Sequence, residues 1–195
     1  MARTRAVRLA VVVAFVVGLV VTGAGTAQAA TYALRTTTWG AWTVYSQQES
    51  NWCWAAATKA AIQKRTGSSP SECTIVKRGK RTSTCANVTG TLYDMSRAMS
   101  EQGLKSTVGL TRPSFDTIRE TTVGGHGILA RVVWKEGGKS GHIAPIIGST
   151  SGKRIQITYI RTTSVSTQWI TYDQFAKGTH GLGSPYSPSG GFLKA

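Results

Sequence analysis

Cys53 is the side chain of this sequence best suited to covalent chemistry. It begins an alanine-rich stretch that predicts a helix, within the segment 47–56 of sequence QQESNWCWAA. Unpaired N–H groups and the helix dipole favour an anion at a helix start, so we expect a lowered thiol pKa and a thiolate nucleophile. The amide of Gln47 is a candidate donor to a developing oxyanion, together with the Cys53 N–H. The competing interpretation of Cys53 is a buried, inert small side chain.

A cysteine nucleophile needs an acid/base partner, and the chain has three histidines. His142 lies in the segment 141–148 (GHIAPIIG), at the start of a predicted strand, from which an imidazole can face a helix start across a cleft. His126, in a Gly-Gly-His-Gly loop, is the second candidate. His180 lies in a tail rich in Gly, Pro and Ser. The three are too scattered for a metal site, and we expect no cofactor.

The elements that must position these groups are predicted as helices first and strands second. This order favours an α+β fold in which an antiparallel sheet packs beside the helices. The predicted helices are 52–65 (with Ser50 or Asn51 as N-cap and Gly67 past its end), 91–102 with a buried stripe of Leu92, Met95 and Met99, and 114–120 capped by Ser114. The predicted strands are 128–134, 143–148, 154–160 and 168–172, with Gly137-Gly138 and Ser151-Gly152 in turns. Segments 31–46, 67–87 and 178–195 are predicted as an extended entry, a basic loop and a loose surface tail.

The first 29 residues have the features of a secretory signal peptide. Arg3, Arg5 and Arg8 precede the apolar run 11–21, and Ala27-Gln28-Ala29 is a small-x-small cleavage sequence. The apolar run is shorter than the roughly 20 residues of a membrane-spanning helix. We therefore expect a secreted protein whose residues 30–195 form a single domain.

Cys73 and Cys85 flank a polar, basic segment and are the predicted disulfide pair. Such a bond is permitted in an oxidising compartment, and closing a loop of this size stabilises by about 3 kcal/mol. Cys53 then stays a free thiol.

Basic side chains greatly outnumber acidic ones, 23 to 8, with a formal net charge of +15. That charge favours anionic partners such as wall polymers, membrane surfaces or acidic proteins. No nucleic-acid motif accompanies the basic residues, and the cluster 77–81 is interpreted as a solvated loop. We expect a monomer.

The segment around Cys53 resembles the active-site helix of papain-like cysteine peptidases. The similarity is to a secreted bacterial branch with Gln, a short polar spacer and Trp-Cys-Trp-Ala-Ala, which includes effector proteases and peptidases that trim bacteriocin leaders. It extends from about residue 42 to 175. The resemblance implies a papain-like fold, a helical half against a sheet half, and an endopeptidase acting on a peptide or protein. Cys53 would be the nucleophile, His142 the acid/base and Gln47 an oxyanion donor.

The chain departs from that family at the third catalytic position. An Asn or Asp normally orients the histidine, and here the corresponding place falls on Tyr159 or Ile160. Asp173 is the carboxylate that could replace it; Thr158, Thr162 or a backbone carbonyl are other possibilities. Two alternative functions follow: a cationic amidase acting on cell-wall peptide, and a catalytically weak or inactive secreted binding protein.

Overall fold

The computed structural model describes residues 32–36, 40–134, 141–179, 186–187 and 191–195. The predicted leader, the Gly137-Gly138 turn and His180 lie outside these ranges. The helices are α1 (Cys53–Thr66), α2 (Glu72–Lys80), α3 (Leu92–Ser100), α4 (Phe115–Val123) and α5 (Tyr172–Lys177). The strands are β1 (Tyr32–Thr36), β2 (Gly40–Val44), β3 (Thr107–Gly109), β4 (Ile128–Trp134), β5 (Gly141–Ser149), β6 (Arg154–Ile160), β7 (Val165–Thr171), β8 (Tyr186–Ser187) and β9 (Phe192–Lys194).

Helix α1 forms where the alanine density predicts it. Its alanines are fully buried, and these small side chains let α1 pack closely between β2, α2, α3 and the sheet. Gly67 ends the helix in the left-handed conformation (φ +74°), as its position predicts. The predicted N-cap was wrong: Trp52 holds that position without a side-chain bond, because Asn51 pairs instead with Asn87.

Helix α2 corrects the prediction of a loop over 67–87. Ser71 caps it by accepting a hydrogen bond from the N–H of Thr74, and Ile75 and Val76 are buried. Three basic side chains lie in its last turn, where the helix dipole favours positive charge. Gly79, which suggested a loop, is needed inside the helix because the ring of Trp54 packs against it.

Helix α4 starts after its predicted cap, Ser114, and α3 starts one residue after its predicted first residue, Thr91. Thr91 and Asp94 form a reciprocal capping box at α3, and Ser114 accepts from the Thr117 N–H at α4. The predicted stripe of α3 is confirmed: Leu92, Met95 and Met99 are buried.

The main sheet is antiparallel, in the order β3-β9-β4-β5-β6-β7, with β8 beside β4. Together with the helices this confirms a mixed α+β architecture. Two expectations about the end of the chain were wrong. The predicted strand 168–172 is the longer β7 followed by α5, which Thr171 and Gln174 cap. The predicted loose tail contains β9, which is paired on both sides and buries Leu193 completely.

The sheet separates two apolar cores. One contains the buried faces of α1, α2 and α3 with Leu129, Ile143, Ile147 and Ile160. The other contains Ile118 of α4, Phe175 of α5 and the alternate residues of β4 to β7. Strand β5 is therefore buried from Ile143 onward, and only its first two residues reach a surface. Those two residues are where the first core opens to the cleft described below.

Candidate functional site

A cleft of about 870 Å³ opens where the start of α1 faces the start of β5. Cys53, His142 and Gln47 all line it. The structure thus brings together three side chains separated by up to 95 positions along the chain (142 − 47). The rest of the lining includes the loop before α3 and the start of α3, β3, Arg131 of β4 and the end of β6.

The Cys53 sulfur lies at the junction of the two halves. The thiol is free and half-buried. The backbone amides of Ile143, Trp54 and Cys53 itself favour the thiolate, but burial has the larger effect and raises the thiol pKa. The expectation of a lowered pKa was therefore wrong for the unliganded protein, because the helix-start amides do not offset desolvation.

His142 is half-buried directly beside Ile143. Burial and then the positive charge of Arg161 lower its pKa from 6.5 to about 4. At neutral pH, Cys53 and His142 are thus a neutral thiol and a neutral imidazole. The resting site differs in this respect from the thiolate–imidazolium ion pair that the sequence suggested.

The backbone N–H of Ile160 contacts Nε2 of the His142 imidazole. Nε2 of His142 accepts a long hydrogen bond of 3.4 Å from the N–H of Ile160, one of the two residues at the place expected for an acid. A protonated imidazole donates from both nitrogens, so protonation of His142 would give up this contact. Thr158 bonds Thr167 within the sheet, whereas Thr162 lines the cleft.

Asp173 lies elsewhere. It is exposed in the first turn of α5 and pairs with Lys177 at 2.9 Å. It does not line the cleft. His126, the alternative histidine, follows α4 and contacts Arg65; it also lies outside the cleft lining.

Gln47 is buried and already hydrogen bonded. Its Nε2 donates to the carbonyls of Glu49 (2.8 Å) and Ser50 (2.7 Å), and its backbone N–H donates to the carbonyl of Arg161 (3.1 Å). These bonds shape the turn that leads into Cys53 and tie it to the end of β6. To bind an oxyanion, the amide must exchange one of its two carbonyl partners.

The tryptophans on either side of Cys53 are both buried. Their indole N–H groups each donate at 3.1 Å, Trp52 to the carbonyl of Ala86 and Trp54 to that of Val88. The predicted disulfide between Cys73 and Cys85 is confirmed, and it ends one residue before Ala86. The disulfide therefore anchors the segment that holds the residues flanking the thiol.

Sequence reasoning missed a buried carboxyl group beneath this turn. Glu72 accepts a hydrogen bond of 2.9 Å from the N–H of Gln48, and burial raises its pKa to about 7. It also missed Arg131 and Arg161, which line the cleft. No local sequence pattern identifies Glu72 as buried, because its burial depends on how α2 packs.

Within the described ranges, no three His, Cys, Asp or Glu side chains are arranged to hold a metal. Among the same residues, no helix is long and apolar enough to cross a membrane. No protein-family model matches the chain, and neither does any curated protein.

Proposed function

We propose that this protein is a secreted cysteine endopeptidase of papain-like type, with Cys53 as nucleophile and His142 as acid/base. One observation carries the proposal. The free Cys53 thiol at the start of α1 and His142 at the start of β5 line the same cleft, and the amide of Ile143, the residue next to His142, favours the Cys53 thiolate.

The neutral resting pair determines how the reaction begins. As the sulfur attacks the peptide carbonyl, its proton passes to Nε2 of His142, the unprotonated nitrogen, which gives up the Ile160 N–H and acts as a general base. The Cys53 N–H and the Gln47 amide stabilise the oxyanion, the amide giving up one carbonyl partner. His142 then protonates the leaving amine and afterwards activates water to release the acyl group.

The papain-like assignment is supported by the Trp-Cys-Trp-Ala-Ala motif and by the arrangement of the cleft between helices and an antiparallel sheet. Secretion is supported by the leader sequence and by the Cys73–Cys85 disulfide, which suits an oxidising compartment.

A fluorescent peptide carrying a thiol-reactive electrophile tests the proposal. We expect labelling of the wild-type protein, loss of labelling in Cys53→Ala, and at least about a hundredfold slower casein hydrolysis in His142→Ala. His126→Ala is the matched histidine control and should retain activity, because His126 lies outside the cleft lining. Casein hydrolysis that persists in Cys53→Ala would refute the peptidase. Hydrolysis of purified cell wall but not of casein would identify the wall amidase instead.

A second candidate is a binding protein that uses the same cleft without turnover. The uncharged Cys53–His142 pair and the surface position of Asp173 favour it. Stoichiometric labelling at Cys53 with no turnover of casein or wall would support this candidate.

A further inference from the structure

Two arginines flank the reactive pair in the cleft. Arg131 lies on β4 and Arg161 directly follows β6, so they approach from either side of β5. Neither belongs to the Trp-Cys-Trp-Ala-Ala segment or to any group that the reaction above requires.

Strand register places Arg131 on the same face of the sheet as Ile143, in the cleft that also contains Cys53. Arg131 is paired directly with Ile143 across the β4–β5 ladder, and directly paired side chains project from the same face of a sheet. The amide of that same Ile143 favours the thiolate of Cys53. Arg131 is half-buried, which reduces the screening of its charge by water.

Arg161 is held beside the imidazole by its main chain. Its carbonyl accepts from the Gln47 N–H, and its N–H donates to the carbonyl of Ser164 at 2.8 Å. Its charge acts on His142, where it is the second cause of the lowered pKa. Its side chain is exposed and faces solvent at the cleft.

Among the described residues that line the cleft, none is an Asp or Glu that could balance these charges. Across the described part of the chain, neither guanidinium forms an ion pair; the four ion pairs there involve Arg78, Lys80, Arg97 and Lys177. A substrate that brings a carboxylate would supply the missing partner.

We propose that the cleft selects substrates with a carboxylate close to the reacting carbonyl, bound by Arg131 and Arg161. The group is an Asp or Glu side chain of the peptide or the carboxylate at a chain end. This inference rests on the proposed function for its substrate, but its electrostatic basis can be measured without turnover.

The first test compares the alkylation rates of Cys53 by iodoacetate, an anion, and iodoacetamide, its neutral analogue. Cys53 is the free cysteine, since Cys73 and Cys85 are joined. We expect an iodoacetate-to-iodoacetamide ratio about tenfold above that of a peptide spanning residues 50–56. Arg131→Gln and Arg161→Gln should each lower the ratio about threefold, as for unit charges about 6 Å apart in water. Arg119→Gln, on the exposed face of α4, removes the same charge and should leave the ratio unchanged.

The second test uses internally quenched peptides that differ only by Glu, Gln or Lys at one position near the scissile bond, each made with a free or amidated C-terminus. We expect kcat/KM to be about tenfold higher for Glu than for Lys, and this preference to disappear in the Arg131→Gln/Arg161→Gln protein. A preference for internal Glu would show that the arginines bind a substrate side chain. A preference for the free C-terminus would show that they bind the carboxylate at a chain end. Both results support the proposal.

An alkylation ratio that the double variant does not change would overturn the proposal, as would equal rates for all peptides. If no peptide is cleaved but the alkylation ratio depends on both arginines, the peptidase function fails while the preference for an anion stands.

Discussion

The two walls of the cleft are built differently. The wall that carries Cys53 adds polar and covalent contacts to its apolar core: the Glu72 bond to Gln48, the two indole bonds and the Cys73–Cys85 disulfide. The wall that carries His142 depends on the ladders of β4 to β6 and on buried aliphatic side chains. Redox conditions therefore act on the cysteine wall, whereas losses of apolar volume act most directly on the histidine wall.

The two walls also respond to acid in opposite directions. Burial raises the pKa of Glu72 to about 7 and lowers that of His142 to about 4. Each group is neutral in the folded protein over much of the range from pH 4 to 7. Glu72 is neutral because its carboxyl group keeps its proton. His142 is neutral because its imidazole does not bind a second proton.

The largest expected effect is a packing change behind the histidine wall. Ile157 of β6 is completely buried, and Ile157→Ala should lower the free energy of unfolding by about 4 kcal/mol, whereas Ile157→Val should cost about 1 kcal/mol. Denaturant unfolding in the presence and absence of dithiothreitol measures both. A much larger loss under reducing conditions than under oxidising ones would show that this wall also depends on the disulfide.

The disulfide gives the next effect, on the cysteine wall. Replacing both Cys73 and Cys85 by Ser should lower the free energy of unfolding by about 3 kcal/mol, as expected for opening a loop of this length. Iodoacetamide should also react faster with Cys53, because the segment that anchors Trp52 and Trp54 is released. Adding dithiothreitol to this variant is the control and should change nothing. An unchanged rate of Cys53 alkylation would show that the disulfide does not influence the reactivity of the site.

The pH response gives the smallest effect. Folded Glu72 holds its proton up to about pH 7 but the unfolded chain releases it near 4.5, so its contribution to stability is lost as pH rises from 4.5 to 7. The unfolded chain protonates His142 near 6.5 but the folded protein only near 4, so stability is lost as pH falls through that window. Each effect reaches about 2 to 3 kcal/mol, and in the wild type they nearly cancel.

Single substitutions separate the contributions of Glu72 and His142 to the pH dependence of stability. Glu72→Gln should lose stability as pH falls from 6.5 to 4, and His142→Gln should lose it as pH rises from 4.5 to 7. The double variant serves as the reference for the remaining carboxyl groups, including Asp94, whose pKa is lowered. Thermal unfolding across this range measures all four proteins. Parallel curves for the two single variants would show that burial does not set these pKa values.

The sequence was sufficient where one element carries its own signal. The bounds of β4 and β6 are those predicted, since their β-branched runs end at clear turns. It failed where burial comes from distant packing. A glycine at position 79 favours a loop by sequence, but in the fold the Trp54 ring packs against it within a helix. Strand β9 is too short to be recognised within a tail rich in Gly, Pro and Ser.

The candidate site divides in the same way. Cys53 and His142 could be selected from their own neighbours in sequence, and the structure places both at one cleft. The direction of the thiol pKa shift could not be predicted from the sequence. The helix-start amides lower the pKa and burial raises it, and the larger of the two effects depends on how the chain packs. Arg131 needed the strand register to bring it beside Ile143.

The position of β9 has a consequence for how the molecule is made. Residues 192–194 lie inside the main sheet, between the edge strand β3 and β4. The ribosome synthesises them after both strands they must join, so the sheet stays incomplete until residue 194 has been made. A chain cut before residue 192 would leave the edges of β3 and β4 exposed to aggregation.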